Sequence, residues 1–128
     1  MLLQSYDGCL YILPALPDAL PNGSVKGLKA RAGFEVDIDW KDSKLTKLVV
    51  KSSLGGNARI RISRDTTIRT KANLQLARGE NPNEYYQVNS IKTPLISEKA
   101  PLKGYPVPQT HVFDFETEKG GTYIFLGK

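Results

Sequence analysis

Seven consecutive residues constrain this chain more than any others. Phe34, Val36, Ile38 and Trp40 alternate with Glu35, Asp37 and Asp39, the period of two expected of a half-buried strand. Lys41-Asp42-Ser43-Lys44 then makes a polar tip, and residues 45–51 run back as a second apolar strand. Two such runs around a short polar tip predict a β-hairpin with Phe34, Val36, Ile38 and Trp40 facing the core.

The same signals recur along the chain in shorter form. Residues 1–5 fit the tail of a helix or an edge strand, and residues 9–13 a compact buried strand after the Asp7-Gly8 turn. Residues 14–21 hold three of the eight prolines, and a residue with fixed φ and no donor predicts an extended connection outside the ladders. That loop is unusually apolar, with Leu13, Ala15, Leu16, Ala19 and Leu20 all needing cover. Asn22-Gly23 is a further turn, residues 25–32 a short strand, and Gly33 a bulge or close-approach site before the hairpin. Residues 58–63, 66–70 and 74–77 and residues 85–88 are expected to be short strands, the last two within a proline-rich stretch of long loops. Residues 111–115 and 122–126, joined by a polar link with two glycines, are expected to form a terminal hairpin. Many short strands, frequent turns and no helical segment predict an all-β fold, an antiparallel β-sandwich or barrel.

At 128 residues the chain is expected to be one domain with a core of its own. Its single cysteine, Cys9, excludes an intramolecular disulfide and a multi-cysteine metal site, and its single histidine, His111, excludes a multi-histidine one. Cys9 lies in an apolar strand, where a thiol is expected to be an inert core atom rather than a nucleophile paired with His111. The net charge of +5 raises the question of a polyanion partner. Up to Ala58, however, seven Lys and Arg face six Asp and Glu, and the local excess is Arg59, Arg61, Arg64, Arg69 and Lys71 against Asp65. That segment has no stacking aromatic, so a solvated strand face is expected rather than a nucleic-acid platform. No basic and apolar leader and no apolar run of membrane-spanning length is visible, and the beginning reads as an excerpt from a longer chain.

Glu35, Asp37 and Asp39 look like a carboxylate cluster, but three acids on one face of one strand repel rather than converge. A glycosidase pair must flank a cleft from opposite sides, and the calcium-loop spacing is absent. A wet strand face is the expectation. No phosphate loop, nucleophile elbow or zinc motif occurs, and no catalytic residue, metal ligand or cofactor is expected within the chain. Tyr85, Tyr86 and Tyr105 could stack on sugar rings, with Tyr85-Tyr86 as the exposed pair.

Residues 1–8, the run Leu13-Pro14-Ala15-Leu16-Pro17-Asp18, the run Gly23-Ser24-Val25-Lys26-Gly27-Leu28-Lys29-Ala30-Arg31 and Gly33-Phe34-Glu35-Val36-Asp37 together resemble the C-terminal part of glycoside hydrolase family 95, the inverting α-L-fucosidases and related α-galactosidases. The second half is similar only in its strand pattern and its Gly120-Gly121-Thr122-Tyr123-Ile124-Phe125 ending. Family members often carry tryptophan where this chain has Leu20, and Asp-Gly where the tip here is Asp42-Ser43. The resemblance implies a single C-terminal accessory β-sandwich over residues 1–128, with residues 1–8 the end of a preceding helical barrel. It places the catalytic acid and the water-activating asparagine and aspartate in a catalytic (α/α)6 barrel upstream, so none is carried onto this sequence. It also implies a periplasmic or secreted parent enzyme.

The expected role is therefore a non-catalytic buttress that docks on the barrel through Leu13, Pro14, Leu16, Pro17, Leu20 and Arg31. The alternative is a carbohydrate-binding module using Tyr85, Tyr86 or Tyr105. The expected partners are the barrel and glycans, with neither nucleic acid nor membrane.

Overall fold

The computed structural model describes residues 1–86, 92–101, 104 and 106–127. Among these there is no α-helix, and ten strands form two five-stranded sheets. The first sheet contains β1 (Leu3–Gln4), β2 (Leu10–Ile12), β6 (Gly56–Ser63), β8 (Gln75–Leu76) and β9 (Thr110–Thr117), in the order β1-β2-β6-β9-β8. The second contains β3 (Gly23–Lys29), β4 (Phe34–Lys41), β5 (Lys44–Ser52), β7 (Ile68–Thr70) and β10 (Thr122–Gly127), in the order β3-β4-β5-β10-β7. All pairings are antiparallel except β2 with β6, which run parallel. Inward residues of both sheets make one buried cluster, with Leu10, Ile60 and Phe115 from the first meeting Val36, Leu48 and Phe125 from the second. The predicted all-β sandwich is what the chain forms.

The hairpin that dominates the sequence is β4 and β5. Val36 pairs with Val50 and Ile38 with Leu48, all four fully buried, and the intervening acids face outward. A register shift after Asp39 leaves Thr46 without a strand partner, and its hydroxyl donates to the Asp39 carbonyl at 3.0 Å. The tip is a two-residue turn in which Asp42 and Ser43 both have positive φ, 50° and 60°, the geometry a tight hairpin needs and glycine enters most readily. Ser43→Gly is accordingly expected to stabilise the domain by about 0.5–1 kcal/mol by removing a Cβ from a left-handed position. Chemical denaturation reads that gain as a higher midpoint at unchanged slope.

Three expectations are corrected. Of the two roles expected of Gly33, close approach holds and the bulge does not: it closes a 3-10 turn over Arg31–Gly33, in which Ala32 and Gly33 have φ of 63° and 71°, and a Cβ on it would stand 2.6 Å from Ser53 Oγ. The bulge lies between Val25 and Leu28, around Gly27 with φ of 74°. Residues 85 and 86 lie in and after a turn rather than opening a strand; residues 87 and 88 fall outside the described part. The terminal pair is not a hairpin, because β9 joins β6 in one sheet and β10 joins β5 in the other. The physical reason is at Ser52, the last residue of β5. Its carbonyl accepts from the Gly120 N–H at 2.7 Å and its N–H donates to the Gly121 carbonyl at 2.9 Å. The link is thereby captured by the opposite sheet before it can fold back. Phe115 and Phe125 meet edge to face across the interior at 5.0 Å.

Candidate functional site

The two ends of β4 hold the residues expected at a docking surface, and they hold them apart. At the far end, Trp40 pairs with Gly23 at the start of β3. A Cβ on Gly23 would stand 2.2 Å from Trp40 Cζ2, so the indole occupies the space any larger residue would fill. Buried to 7% exposure, the ring donates its Nε1–H to the Leu20 carbonyl at 2.9 Å. The Ser43 N–H donates to the Pro21 carbonyl at 2.8 Å, and the Asp42 N–H to Asn22 Oδ1 at 2.9 Å. The proline-rich loop is thus fastened to the hairpin tip. Its Pro17, Ala19, Leu20 and Pro21 are exposed together, Leu20 to 52%.

Leu13 and Leu16 instead turn inward and pack against the domain's own core, and Pro14 is half-buried. Arg31 lies exposed in the 3-10 turn before β4, its N–H donating to Ser5 Oγ at 3.2 Å. The six steps from Phe34 to Trp40 separate that end from Leu20 by roughly 20 Å at the ordinary strand rise. The expected docking set therefore divides into an exposed apex, an internal pair and a distant arginine.

The first two acids of the row are bound to cations from both neighbouring strands, and the third to a hydroxyl. Glu35 meets Lys29, Lys51 lies 3.3 Å from Asp37, and Asp39 accepts from the Ser24 hydroxyl. The hydrogen bond and charge of Lys29 hold the Glu35 carboxyl below its usual range, and the Gly27 N–H does the same for Asp37. Acids kept ionised on one strand face are poor proton donors. Cys9 is buried, with its Sγ 3.1 Å from Asp7 Oδ1. Burial, then the Asp7 carboxylate, pushes the thiol up to about 12, so the thiolate nucleophile is suppressed at neutral pH. Among the described residues, no three His, Cys, Asp or Glu side chains are grouped to hold a metal ion.

The basic segment is also less free than its composition suggests. Arg59 grips Asp114 with two hydrogen bonds and the Gly79 carbonyl with a third. Arg61 lies 3.5 Å from Asp7 and 5.5 Å from the Tyr11 ring centre.

Of the candidate sugar-stacking residues, Tyr105 lies outside the described part, and Tyr86 is corrected. The turn that exposes Tyr85 to 51% turns Tyr86 inward to 6%. Tyr86 stacks on Phe34 at 6.2 Å and is unavailable to a ligand. Tyr85 lines a cleft of about 330 Å³ together with residues that include Gly56, Asn57, Asn83, Glu84 and Glu116. Sequence inspection missed Glu84 and Glu116 because they are 32 positions apart and nothing in either local pattern joins them.

Residues 4–94 match the family described as glycoside hydrolase family 95, C-terminal domain. Alpha-L-fucosidase 2 of Arabidopsis thaliana is 52% identical over 48 residues, which make up 37% of this chain and 6% of that protein. The aligned region is thus a small part of that relative's length.

Proposed function

The chain belongs to the C-terminal domain family of glycoside hydrolase family 95, and from that premise we propose that it is a non-catalytic accessory β-sandwich that steadies the catalytic part of a fucosidase-type enzyme. The observation that carries this reading is the fastened apolar apex. Isolated exposed side chains are ordinary on any surface. Here three hydrogen bonds hold a loop that keeps Pro17, Ala19, Leu20 and Pro21 in water together. A rigid apolar apex loses little entropy when a partner covers it, which suits a contact between domains. The partner is the catalytic (α/α)6 barrel that the family resemblance implies. The suppressed Cys9 thiol and the ion-paired Glu35 and Asp37 support the non-catalytic part of the proposal.

Leu20→Asp tests it in the complete enzyme. Burying a charge where an apolar side chain docks is expected to cost about 2 kcal/mol of domain–domain contact. Thermal inactivation should quicken by about tenfold, while the Tm of the isolated domain stays within about 1 °C, because the Leu20 side chain leaves no core contact behind. Leu16→Asp would destabilise the domain itself and is the wrong probe. An enzyme indifferent to Leu20→Asp overturns the docking role, and fucosidase activity in the isolated chain overturns the non-catalytic one.

A second reading, glycan binding, is favoured by one observation, the exposed Tyr85 lining a polar cleft.

A further inference from the structure

We infer that the cleft beside Tyr85 is a binding site for a single neutral sugar unit, with Tyr85 as the stacking face and Glu84 and Glu116 as hydrogen-bond acceptors for its hydroxyls. This deepens the glycan-binding reading and is independent of docking at Leu20. The floor is built rather than incidental. Asn83 Nδ2 donates to the Asn57 carbonyl at 2.9 Å, Asn57 Nδ2 donates to Asn81 Oδ1 at 3.1 Å, and Asn81 Nδ2 donates to the Gly8 carbonyl at 2.8 Å. Asn83 Oδ1 in turn accepts the Tyr85 N–H at 2.9 Å, so the backbone that carries the ring is fixed by a chain of amides reaching back to Gly8, ahead of β2. Gly56 is required behind it. Its φ is +92°, and a Cβ there would stand 2.9 Å from Asn83 Nδ2.

The chemistry of the lining selects the ligand class. An aromatic face receives the C–H side of a pyranose, and carboxylates accept from its hydroxyls. Glu116 reaches the cleft from β9, paired across the ladder with Asn57 on β6, whereas Glu84 comes from the turn that carries Tyr85. The acceptors therefore approach from two elements. Neither carboxylate makes an ion pair among the described residues, and the lining contains no lysine or arginine. Two carboxylates with no cation in the lining favour a neutral ring over a uronic acid. A volume of about 330 Å³ accommodates one sugar unit, not an extended chain.

The test is an amide NMR titration of the 128-residue chain with L-fucose, D-galactose, D-glucose and D-glucuronate. At least one neutral sugar is expected to bind with a Kd on the order of 1 mM, as a ligand of so few atoms allows. The shifts should centre on Asn83, Glu84, Tyr85 and Glu116 and spare Lys71. Tyr85→Ala should weaken binding at least about tenfold and Tyr85→Phe by less than about twofold, with Glu116→Gln in between, each variant keeping the wild-type spectrum elsewhere. D-glucuronate should bind more weakly than D-glucose. No perturbation by any neutral sugar, equal binding by Tyr85→Ala, or D-glucuronate binding as well as the neutral rings each overturns the site. Loss of sugar binding in Tyr85→Ala with normal heat resistance of the complete enzyme would leave the docking role standing, and the converse result would leave this site standing.

Discussion

Gly23→Ala is expected to lower the Tm of the domain by about 10–20 °C, an effect out of proportion to one methyl group. Strand glycines exchanged for alanine normally gain stability, because glycine loses more conformational freedom on folding. Here the sign reverses, because the new Cβ would sit 2.2 Å from Cζ2 and 2.7 Å from both Cε2 and Cη2 of Trp40. The indole must tilt, and in tilting it leaves the Leu20 carbonyl it binds at 2.9 Å. Overpacking costs about 1–3 kcal/mol and a lost hydrogen bond to a buried donor about as much again. The combined cost of about 3–5 kcal/mol is a large share of the stability of a domain this size. Trp40 is the only tryptophan in the chain, so its emission reports the displacement directly and should shift to the red. In a Trp40→Phe background the same Gly23→Ala change should cost less than about 1 kcal/mol, since the smaller ring leaves the contested space empty. An unchanged Tm and emission maximum would show that the methyl group is accommodated without displacing the indole.

This pair marks where sequence reasoning stops. The alternation from Phe34 to Trp40 is a local property, and local periodicity is enough to place the hairpin and its inward face. Asn22-Gly23 reads locally as a turn, and in the structure Gly23 opens a strand instead, because a ring 17 positions later needs its space. The terminal strands fail for the same reason. Residues 110–117 and 122–127 each carry a strand signal, but which sheet each joins depends on hydrogen bonds to Ser52, far away in sequence. Tyr85 and Tyr86 are adjacent and chemically alike. Their opposite fates follow from a turn set by Asn81 and Asn83, which accept the N–H groups of Asn83 and Tyr85. The family wording was legible because it is a linear string. The cleft was not, because its two carboxylates meet only through the pairing of β6 with β9 and the fold of the loop above it.

Asp114→Asn is expected to cost about 2–3 kcal/mol at neutral pH and progressively less in acid. Asp114 and Arg59 are paired residues on β9 and β6 whose side chains are 19% and 11% exposed. The contact is bidentate, Nε to Oδ1 at 2.7 Å and Nη2 to Oδ2 at 2.9 Å, while Nη1 holds the Gly79 carbonyl at 2.7 Å. The same guanidinium therefore fastens the ladder to the loop that precedes Asn81. Removing the charge of Asp114 leaves a largely buried cation with its attraction gone, which is the costly way to break such a pair. The partial exposure keeps the cost below that of a fully desolvated pair. Burial alone would raise the Asp114 pKa, but its bonds to Arg59 and Asn57 and the Arg59 charge outweigh burial and hold the carboxyl below the usual range. Since the folded pKa lies below the unfolded value of about 3.9, this stabilisation is complete above about pH 4 and is lost as the pH falls through the folded pKa. The gap in unfolding free energy between wild type and Asp114→Asn should stay constant from neutral pH to about 4 and narrow below it. Glu35 and Asp37 titrate in both proteins and cancel from the difference. A gap that stays level down to about pH 2, or no gap at pH 7, would show that Arg59 is held by the loop carbonyls rather than by Asp114.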